Sequence, residues 1–389
     1  ISGEVNPSGK TTDTWLKDIN KAPYINNIGH FAYTNTDKVS DAAKKAWERA
    51  DGIVSFVDYV EGIYVGYRFY ETAADEGLIN YDDTVMYPFG YGLSYTTFDE
   101  TMGELRASDD GISVDVTVTN TGDTAGKDVV ELYYDPPYYN GGIEKSSVNL
   151  LAFDKTDLLE PGESETVTLT FSDEDMASYD TYGAGHYVLD YDISLRTDSH
   201  NVVDSKTYNV AEDIVYDENN KHNGDVEVAD NKFDFVEGDI TYLSRKDGFA
   251  NYDTATAAPT NFELDGTIYG NGTYDPTDYD NDDDKMPTTG ADNGLELFDL
   301  RGASYDDDRW EDLLDEMTVD EMVDLIAFGG HQNIAVSSID KIRILDTDGP
   351  AGVNSSTLGI FGTGFCSEII LAQTWNTELA VAFSEAMGQ

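Results

Sequence analysis

A regular alternation of apolar and polar residues in the middle of the chain constrains the fold most strongly. In residues 112–119 every second side chain is apolar, which is the pattern of a β-strand with one buried face. Turn-forming residues follow at 120–123, and further strand-like runs lie at 129–134, 165–171 and 187–195, the last of which closes the set. Short strands at this spacing predict a β-sandwich of about 100 residues.

Composition divides the whole chain into four stretches. Residues 1–103 mix helical and short apolar runs, and residues 104–211 hold the predicted sandwich. Residues 212–302 contain many Asp, Asn, Gly and Thr and few periodic patterns, which predicts a long acidic linker or insertion. Residues 303–389 alternate helical and strand-like pieces, which indicates an α/β unit.

Several local elements are expected within these stretches. A helix is predicted at 41–50 and a strand at 53–57, while residues 238–245 are apolar enough to dock on another part of the protein. In the last stretch, helical spacing relates Trp310, Leu313, Leu314 and Met317. A capping-box pattern at 318–321 starts a second helix there.

The end of the last stretch has its own pattern. Residues 344–345 form a short apolar run that leads into a tight turn, which predicts a strand followed by a turn. Residues 367–387 are expected to be rich in helix. Helix and strand alternating in this way are typical of a parallel α/β arrangement.

The net charge excludes several classes of function. The chain has 23 Lys and Arg against 77 Asp and Glu, which gives a formal charge of −54. A chain this acidic is repelled by nucleic-acid phosphates and by anionic lipid surfaces. No apolar run approaches the roughly 18 residues of a membrane helix. Neither nucleic acid nor a membrane is therefore expected as a partner.

The acidic residues allow two interpretations. The first is a solvated surface, as in a salt-adapted or extracellular protein. The second is calcium binding by the densest acidic run, residues 275–284. That run does not fit a helix-loop-helix calcium loop, because Asp283 and Thr289 occupy the positions of the required Gly and Glu. A solvated loop is the favoured interpretation, and an irregular calcium site stays open.

Cysteine and histidine give no evidence of a metal site. Cys366 is the only cysteine, so an intrachain disulfide and a cysteine-built zinc site are excluded. It lies beside apolar neighbours and is interpreted as a small buried hydrophobic residue. The five histidines have no ligand spacing. No metal and no cofactor are predicted.

Other short motifs offer few sites. Residues 9–11, Gly-Lys-Thr, are not a phosphate loop because Glu4 occupies the position of its leading Gly. Asp348 follows the predicted strand, where an aspartate could accept two hydrogen bonds from a sugar diol, but a tight turn also explains it and is favoured by composition alone. The aromatic run at 89–96 could stack on a sugar or base, although a packed aromatic turn is favoured.

Several groups of residues together resemble glycoside hydrolase family 3. Residues 3–9 (Gly-Glu-Val-Asn-Pro-Ser-Gly) with 13–14, and also 61–70 and 87–95, resemble its α/β sandwich domain. Residues 120–122 and 126–133 are similar to its fibronectin-type-III-like domain, and 348–352 with 371–376 resemble the start of its (β/α)8 barrel. The resemblance implies a multidomain α/β plus β protein: 1–103 as the end of the α/β sandwich domain, 104–211 as the fibronectin-like β-sandwich, 212–302 as the acidic linker and 303–389 as the incomplete barrel start.

The order of these segments resembles the permuted β-glucosidases of anaerobic Firmicutes, in which the carboxyl-side domains come first. Residues 233–245 are similar to the connector of that group. The chain begins with Ile1 and not with Met, and it is expected to be an internal portion of a longer enzyme.

The resemblance also implies the site residues. The family hydrolyses glycosides with retention, using an aspartate nucleophile near a Trp and a glutamate acid/base in the sandwich domain. No Asp-Trp pair occurs here, so both catalytic carboxylates are expected outside this chain. Asp348 matches the family aspartate that holds hydroxyls of the terminal glucose. Trp375 and Asn376 match a motif that packs the barrel, and no catalytic role is assigned to them.

Two functions follow as hypotheses. The first is a portion of a retaining, exo-acting β-glucosidase that removes terminal β-D-glucosyl residues, inactive as this chain alone. Its partners would be an oligosaccharide or β-glucoside substrate and the remainder of the hydrolase, on the same or another chain. The second is a non-catalytic acidic extracellular or assembly protein that uses the sandwich and binds calcium. Homo-oligomer formation, and a cytoplasmic or extracellular location in a bacterium, are left open.

Overall fold

The computed structural model of the chain forms two compact units. The first comprises Ile1–Tyr274 and Ile369–Phe383, and the second comprises Asp275–Glu368 and Ser384–Gln389. The residues that the structure describes are 3–36, 55–108, 111–181, 190–210, 214–222, 224–229, 231, 240–264, 277, 281–330, 332–346, 349, 351–355 and 359–388.

Among the described residues that precede the sandwich, the first unit has short strands, two α-helices and a 3-10 turn at Ile19–Lys21. The elements are β1 (Trp15–Leu16), β2 (Phe31–Ala32), β3 (Ser55–Phe56), α1 (Tyr67–Asp75), α2 (Tyr81–Thr84) and β4 (Val85–Tyr87). β1 pairs with β4, and β2 pairs with β3. β3 confirms the strand predicted at 53–57 within its described residues. The helix predicted at 41–50 lies outside the described residues.

Within the described residues, eight antiparallel strands in two sheets form the predicted β-sandwich. They are β5 (Phe98–Met102), β6 (Arg106–Ser108), β7 (Gly111–Asn120), β8 (Val129–Asp135), β9 (Asn149–Lys155), β10 (Ser164–Phe171), β11 (Asp190–Arg196) and β12 (Val202–Asn209). The first sheet has the order β10-β7-β5, with β6 also paired to β7. The second sheet has the order β12-β11-β8-β9.

The inward positions of both sheets form one apolar core. Along β7 the alternation seen in the sequence becomes alternating burial, with Val114, Val116 and Val118 fully buried. They belong to one core cluster with Leu132 of β8 and Ile193 of β11. Burial of side chains of this size contributes about 1.5–3 kcal/mol each, which is why the period-2 pattern fixes the register of the strands.

β8 differs from β7 because both of its faces are buried. Residues 129–134 are all buried, including Glu131 and Tyr133, whose side chains face away from the apolar core. The ring of Tyr67 in α1 lies 6.2 Å from that of Tyr133, edge to face. Residues that precede the sandwich therefore cover the outer face of this sheet. Because both faces of β8 are buried, its sequence is a continuous, mostly apolar run and does not alternate.

The prediction that residues 187–195 close the set of strands is wrong. β12 follows β11 and pairs with it at the edge of the second sheet. Its sequence is largely polar and its side chains are exposed or half-buried, so it lacks the alternation on which the prediction relied. β5, β6 and β9 were also not predicted, and β5 begins before residue 104.

Part of the predicted linker packs on the first unit. α3 (Lys246–Phe249), a single turn in which Asp247, Gly248 and Phe249 have positive φ, is followed by α4 (Tyr252–Ala255). Leu243 and Phe249 share a buried cluster with Tyr64 and Phe69, and the Leu243 amide donates to the Val60 carbonyl over 2.8 Å. The docking predicted for residues 238–245 is confirmed where the structure describes them.

The second unit has its own small apolar core. A 3-10 turn at Leu297–Leu300 precedes α5 (Arg309–Leu314) and α6 (Val319–Ala327). Thr318 and Glu321 form the predicted capping box at the start of α6. Leu300, Leu313 and Met317 pack together with two residues of the following segment, Val336 and Ile339. Trp310 packs on this cluster, whereas Leu314 is half exposed.

The strands of the second unit pair in a way the sequence did not indicate. β13 (Gln332–Asn333) is antiparallel to β14 (Ile344–Leu345), and β15 (Asn354–Ser355) is antiparallel to β16 (Ile360–Phe361). β14 is the strand expected before Asp348, but its described partner is antiparallel and not parallel. Helices α7 (Glu368–Ala372) and α8 (Thr377–Gly388) confirm the helices expected at 367–387. The barrel start stays a prediction.

The interpretation of Cys366 as a buried residue is wrong. Its side chain is exposed. In the described part of the chain, no helix has both the length and the apolar character needed to span a bilayer.

Candidate functional site

Asp348, the residue predicted to hold substrate hydroxyls, lies outside the residues that the structure describes. Its neighbour Asp346 is described and is exposed to solvent. The substrate-binding role of Asp348 therefore stays a prediction that rests on the family resemblance.

The structure brings three other family-like motifs together in the first unit. Residues 3–9, 87–95 and 371–376 meet at a cleft of about 500 Å³. Its floor and walls include Lys10, Thr11, Trp15, Tyr87, Tyr91, Leu93 and Gln373. Trp15 lies opposite Tyr87 in the β1–β4 pair, and the Tyr87 and Tyr91 rings stack at 5.0 Å.

Backbone hydrogen bonds fix two of these motifs to each other. The Thr11 amide donates to the Tyr91 carbonyl over 2.8 Å, and the Gly90 amide donates to the Thr11 carbonyl over 2.9 Å. The Thr11 hydroxyl donates to the Pro88 carbonyl over 2.5 Å and accepts from the Tyr91 amide over 3.0 Å. The aromatic run is thus a turn with a fixed backbone, while Leu93 and Tyr95 are exposed, so stacking on a sugar stays an open alternative.

A buried ion pair lies directly beneath this turn. Lys10 Nζ is 2.8 Å from Oε1 of Glu131, whose side chain is completely buried. Lys10 also donates to the Thr197 carbonyl over 2.9 Å, and the Tyr133 hydroxyl donates to Oε2 of Glu131 over 2.6 Å. The Lys10 ammonium and the Tyr133 hydroxyl offset part of the cost of removing the Glu131 charge from water.

The environment of the pair shifts the pKa values of both partners. Burial raises the pKa of Glu131, although the ammonium of Lys10 opposes the shift. Burial acts to lower the pKa of Lys10, but the attraction of Glu131 and Asp128 outweighs it and leaves that pKa raised. The ammonium is therefore retained under the turn at neutral pH.

Glycine is required where the turn passes over the carboxylate. Gly90 has φ of +82°, and a Cβ atom at this position would lie 2.3 Å from Oε2 of Glu131. The backbone conformation and the close approach both exclude larger residues. Gly90 of the aromatic run therefore allows the turn to pass close to the Glu131 carboxylate.

Other charged groups surround the pair. Burial, followed by repulsion from Asp128, raises the pKa of Glu100 to about 8. Burial and the neighbouring Lys127 lower the pKa of Lys155 to about 8. Lys155 donates to the Ser8 carbonyl over 2.8 Å and to the Thr374 carbonyl over 2.5 Å, and so ties two of the motifs to β9.

Trp375 has the contacts of a packing residue. It is 5% exposed, and its ring lies edge to face with Phe89 at 5.4 Å and with Phe153 at 4.9 Å. Its indole nitrogen donates to the Lys10 carbonyl over 3.3 Å. Asn376 accepts a hydrogen bond from the Leu379 amide, over 2.9 Å, at the start of α8. Trp375 therefore packs against the 87–95 turn and β9, and the absence of a catalytic role for both residues stays a prediction.

This arrangement holds segments together and does not offer a reactive carboxylate at Glu131. The Glu131 side chain is fully buried and already contacts Lys10 and Tyr133, so a substrate cannot reach it. In the part of the chain that the structure describes, no three His, Cys, Asp or Glu side chains are arranged to hold a metal ion.

Sequence reasoning missed the ion pair, although a signal was present. Glu131 interrupts the apolar run 129–134, and a charged residue there requires a buried partner. The partner could not be named, because Lys10 lies 121 positions earlier in the chain and no local pattern relates them.

Comparisons with known proteins agree with these motifs. The Fibronectin type III-like domain family matches residues 128–200. Beta-glucosidase A of Butyrivibrio fibrisolvens is 29% identical over 100% of this chain and 46% of its own length. A beta-glucosidase of Ruminococcus albus is 38% identical over 47% of this chain and 16% of its own length.

One solved structure has a similar fold over almost the whole of this chain. A beta-glucosidase from Paenibacillus barengoltzii aligns with 98% of this chain and 39% of its own, with a TM-score of 0.64 and 25% identity. The chain thus spans less than half the length of this enzyme and of Beta-glucosidase A. The resemblance to family 3 β-glucosidases and the multidomain α/β plus β fold class are confirmed.

Proposed function

We propose that this chain, which resembles family 3 β-glucosidases along its whole length, is a portion of a β-glucoside hydrolase of the permuted type. The alignment with Beta-glucosidase A of Butyrivibrio fibrisolvens carries the proposal, because it extends over 100% of the chain. An end-to-end alignment preserves the order of the aligned segments. The alignment therefore supports the permuted segment order proposed for this chain.

The complete enzyme would remove terminal β-D-glucosyl residues from oligosaccharides with retention. This chemistry needs a nucleophile and an acid/base whose carboxyl groups lie about 5–5.5 Å apart. We place both groups outside this chain, since its sequence lacks the family's nucleophile context. Burial also keeps Glu131, the carboxylate beneath the motif turn, away from any substrate.

The chain itself would contribute a scaffold and one substrate contact. The sandwich and the Lys10–Glu131 pair hold the three motif segments in fixed relative positions. Asp348 would accept hydrogen bonds from two hydroxyls of the terminal glucose, each worth about 1.5–3 kcal/mol when one partner is charged. Carboxylates suit this role because they accept two hydroxyl donors at once.

Hydrolysis of an aryl β-glucoside tests the proposal. We expect the complete source protein to turn over the substrate, and purified residues 1–389 to release no more phenol than buffer does. Turnover by the purified chain would place the catalytic carboxylates within it. An inactive complete protein that binds calcium would favour the non-catalytic acidic protein instead.

A further inference from the structure

A second buried carboxylate lies where helix α1 meets the sandwich. Glu71 of α1 is 4% exposed. Its Oε1 accepts hydrogen bonds from the Tyr81 hydroxyl over 2.7 Å and from the Ser199 hydroxyl over 2.8 Å. Its Oε2 lies 2.9 Å from Nδ1 of His200. Three side chains therefore satisfy one buried charge.

The histidine of this group is both held and accessible. His200 lies in the turn between β11 and β12, and its ring stacks on that of Tyr81 at 3.7 Å with an interplanar angle of 4°. The His200 side chain is 39% exposed, whereas that of Glu71 is 5% exposed. Protons can thus reach the imidazole from solvent while the carboxylate stays buried.

We propose that Glu71 and His200 form a proton-dependent clamp between helix α1 and the β11–β12 turn of the sandwich. With a protonated imidazole, the contact is an ion pair with a charge-assisted hydrogen bond. With a neutral imidazole, only an ordinary hydrogen bond to the carboxylate is left. The turn is therefore held more tightly to α1 at low pH than at high pH.

The other groups around the imidazole favour its protonated form. Asp198 and Asp82 are acidic and lie close enough to raise the pKa of His200, after the larger effect of its hydrogen bond to Glu71. Tyr81 stays neutral because burial raises its pKa. Arg196, the nearby cation, is itself paired with Asp135 at 2.8 Å.

The pH range of the clamp follows from the direction of this shift. A raised pKa means that the folded protein binds the proton more tightly than the unfolded chain does. The added stability is fully present below the ordinary histidine pKa of about 6.5, and it is lost as the pH rises through the higher folded value.

Contacts that do not titrate near neutral pH hold the same interface. The Ser147 amide donates to the Thr72 hydroxyl over 2.9 Å, and the Leu150 amide donates to the Tyr67 hydroxyl over 2.9 Å. Loss of the proton should therefore loosen the β11–β12 turn without separating the sandwich from α1.

Thermal unfolding of the full chain between pH 5.5 and 9 tests the clamp. We expect His200→Gln, which removes the charge, to lower the melting temperature at pH 5.5 more than at pH 9. His222→Gln is the matched control, because His222 is half exposed and lies 4.0 Å from Asp225. It should follow the wild-type curve.

Two further measurements keep the test decisive. Ser199→Ala removes a neutral donor to Glu71, so it should lower the melting temperature equally at every pH. In the wild-type protein, NMR titration should give a His200 pKa above about 6.5. A His200→Gln curve parallel to that of the wild type, or a His200 pKa at or below the ordinary value, would overturn the proposal.

Discussion

The central strands of the two sandwich sheets, β7 and β8, use their outer faces in opposite ways. On β7, Asp115 and Thr117 point outward and stay partly exposed, and they bond to Arg106 and Thr166 on neighbouring strands. On β8, the outward side chain of Glu131 is fully buried under the turn at 87–95. One face is a solvated surface, and the other is an interface within the first unit.

The difference shows what a single charge contributes in each setting. The charges of an exposed ion pair are solvated whether or not the pair forms, so the pair contributes little to the free energy of unfolding. A buried ion pair stabilises the fold little more than apolar residues of similar size would. The loss of one partner is nevertheless strongly destabilising, because it leaves an uncompensated charge in the interior. The two faces of the sandwich should therefore respond very differently to equivalent substitutions.

The largest effect is expected at Lys10. Lys10→Met keeps the apolar stem but leaves Glu131 buried without its cation, so the first unit should lose about 3–5 kcal/mol of stability. Denaturant unfolding followed by tryptophan fluorescence measures this loss, since Trp375 lies against the Lys10 backbone. Adding Glu131→Gln to this variant should restore part of the stability. If the double variant is no more stable than Lys10→Met, the buried charge is not the cause.

A slightly smaller effect is expected at Gly90. In Gly90→Ala, the alanine would have to adopt a positive φ, and its Cβ atom would lie 2.3 Å from Oε2 of Glu131. We therefore expect the substitution to lower the free energy of unfolding by about 1–3 kcal/mol. Gly162→Ala is the control, because Gly162 has φ of +81° with no atom within 4 Å of a Cβ. Equal losses in thermal unfolding would mean that backbone strain alone explains Gly90 and that the turn does not press on the carboxylate.

The buried acids should also give the interface a pH dependence. Burial raises the pKa of Glu100 to about 8, so ionising it in the folded protein costs stability as the pH rises from about 4.5 to 8. Glu100→Gln should therefore be more stable than the wild type at pH 8 and lose less stability over this range. Glu104→Gln, at an 89% exposed side chain, is the control. A Glu100→Gln profile identical to the wild type would show that this carboxyl is solvated.

The smallest effect is expected on the exposed face. Arg106 and Asp115 are 2.6 Å apart, but their side chains are 51% and 37% exposed. Arg106→Ala should leave the melting temperature unchanged within error, because solvent replaces the lost contact. A loss as large as that of Lys10→Met would remove the distinction between the two faces.

The same comparison explains which parts of the fold the sequence could predict. β7 and β10 alternate with one buried face, so their residues alone indicated the strands and the sandwich. The covering of β8 depends on Lys10 and the 87–95 turn, which are distant in sequence. Local periodicity carries no information on such contacts.

The errors have similar physical causes. Cys366 was expected to be buried because its neighbours are apolar, but adjacency in sequence does not make those neighbours cover it. β12 was missed because an edge strand with polar residues needs no apolar face. The motif residues 3–9, 87–95 and 371–376 were identified from the family resemblance, yet only the structure shows that they meet at one cleft.

Asp348 is predicted to be the chain's own contact with substrate, and kinetics of the complete protein test this most directly. Asp348→Ala should lower kcat/KM for an aryl β-glucoside by about 10²–10⁴-fold with the fold intact, since two hydroxyl contacts are lost in the transition state. Asp346→Ala is the internal control, because Asp346 lies two residues earlier in the chain and its side chain is exposed to solvent. Near-normal kcat/KM for a properly folded Asp348→Ala protein would contradict the account and leave Asp348 as a turn residue.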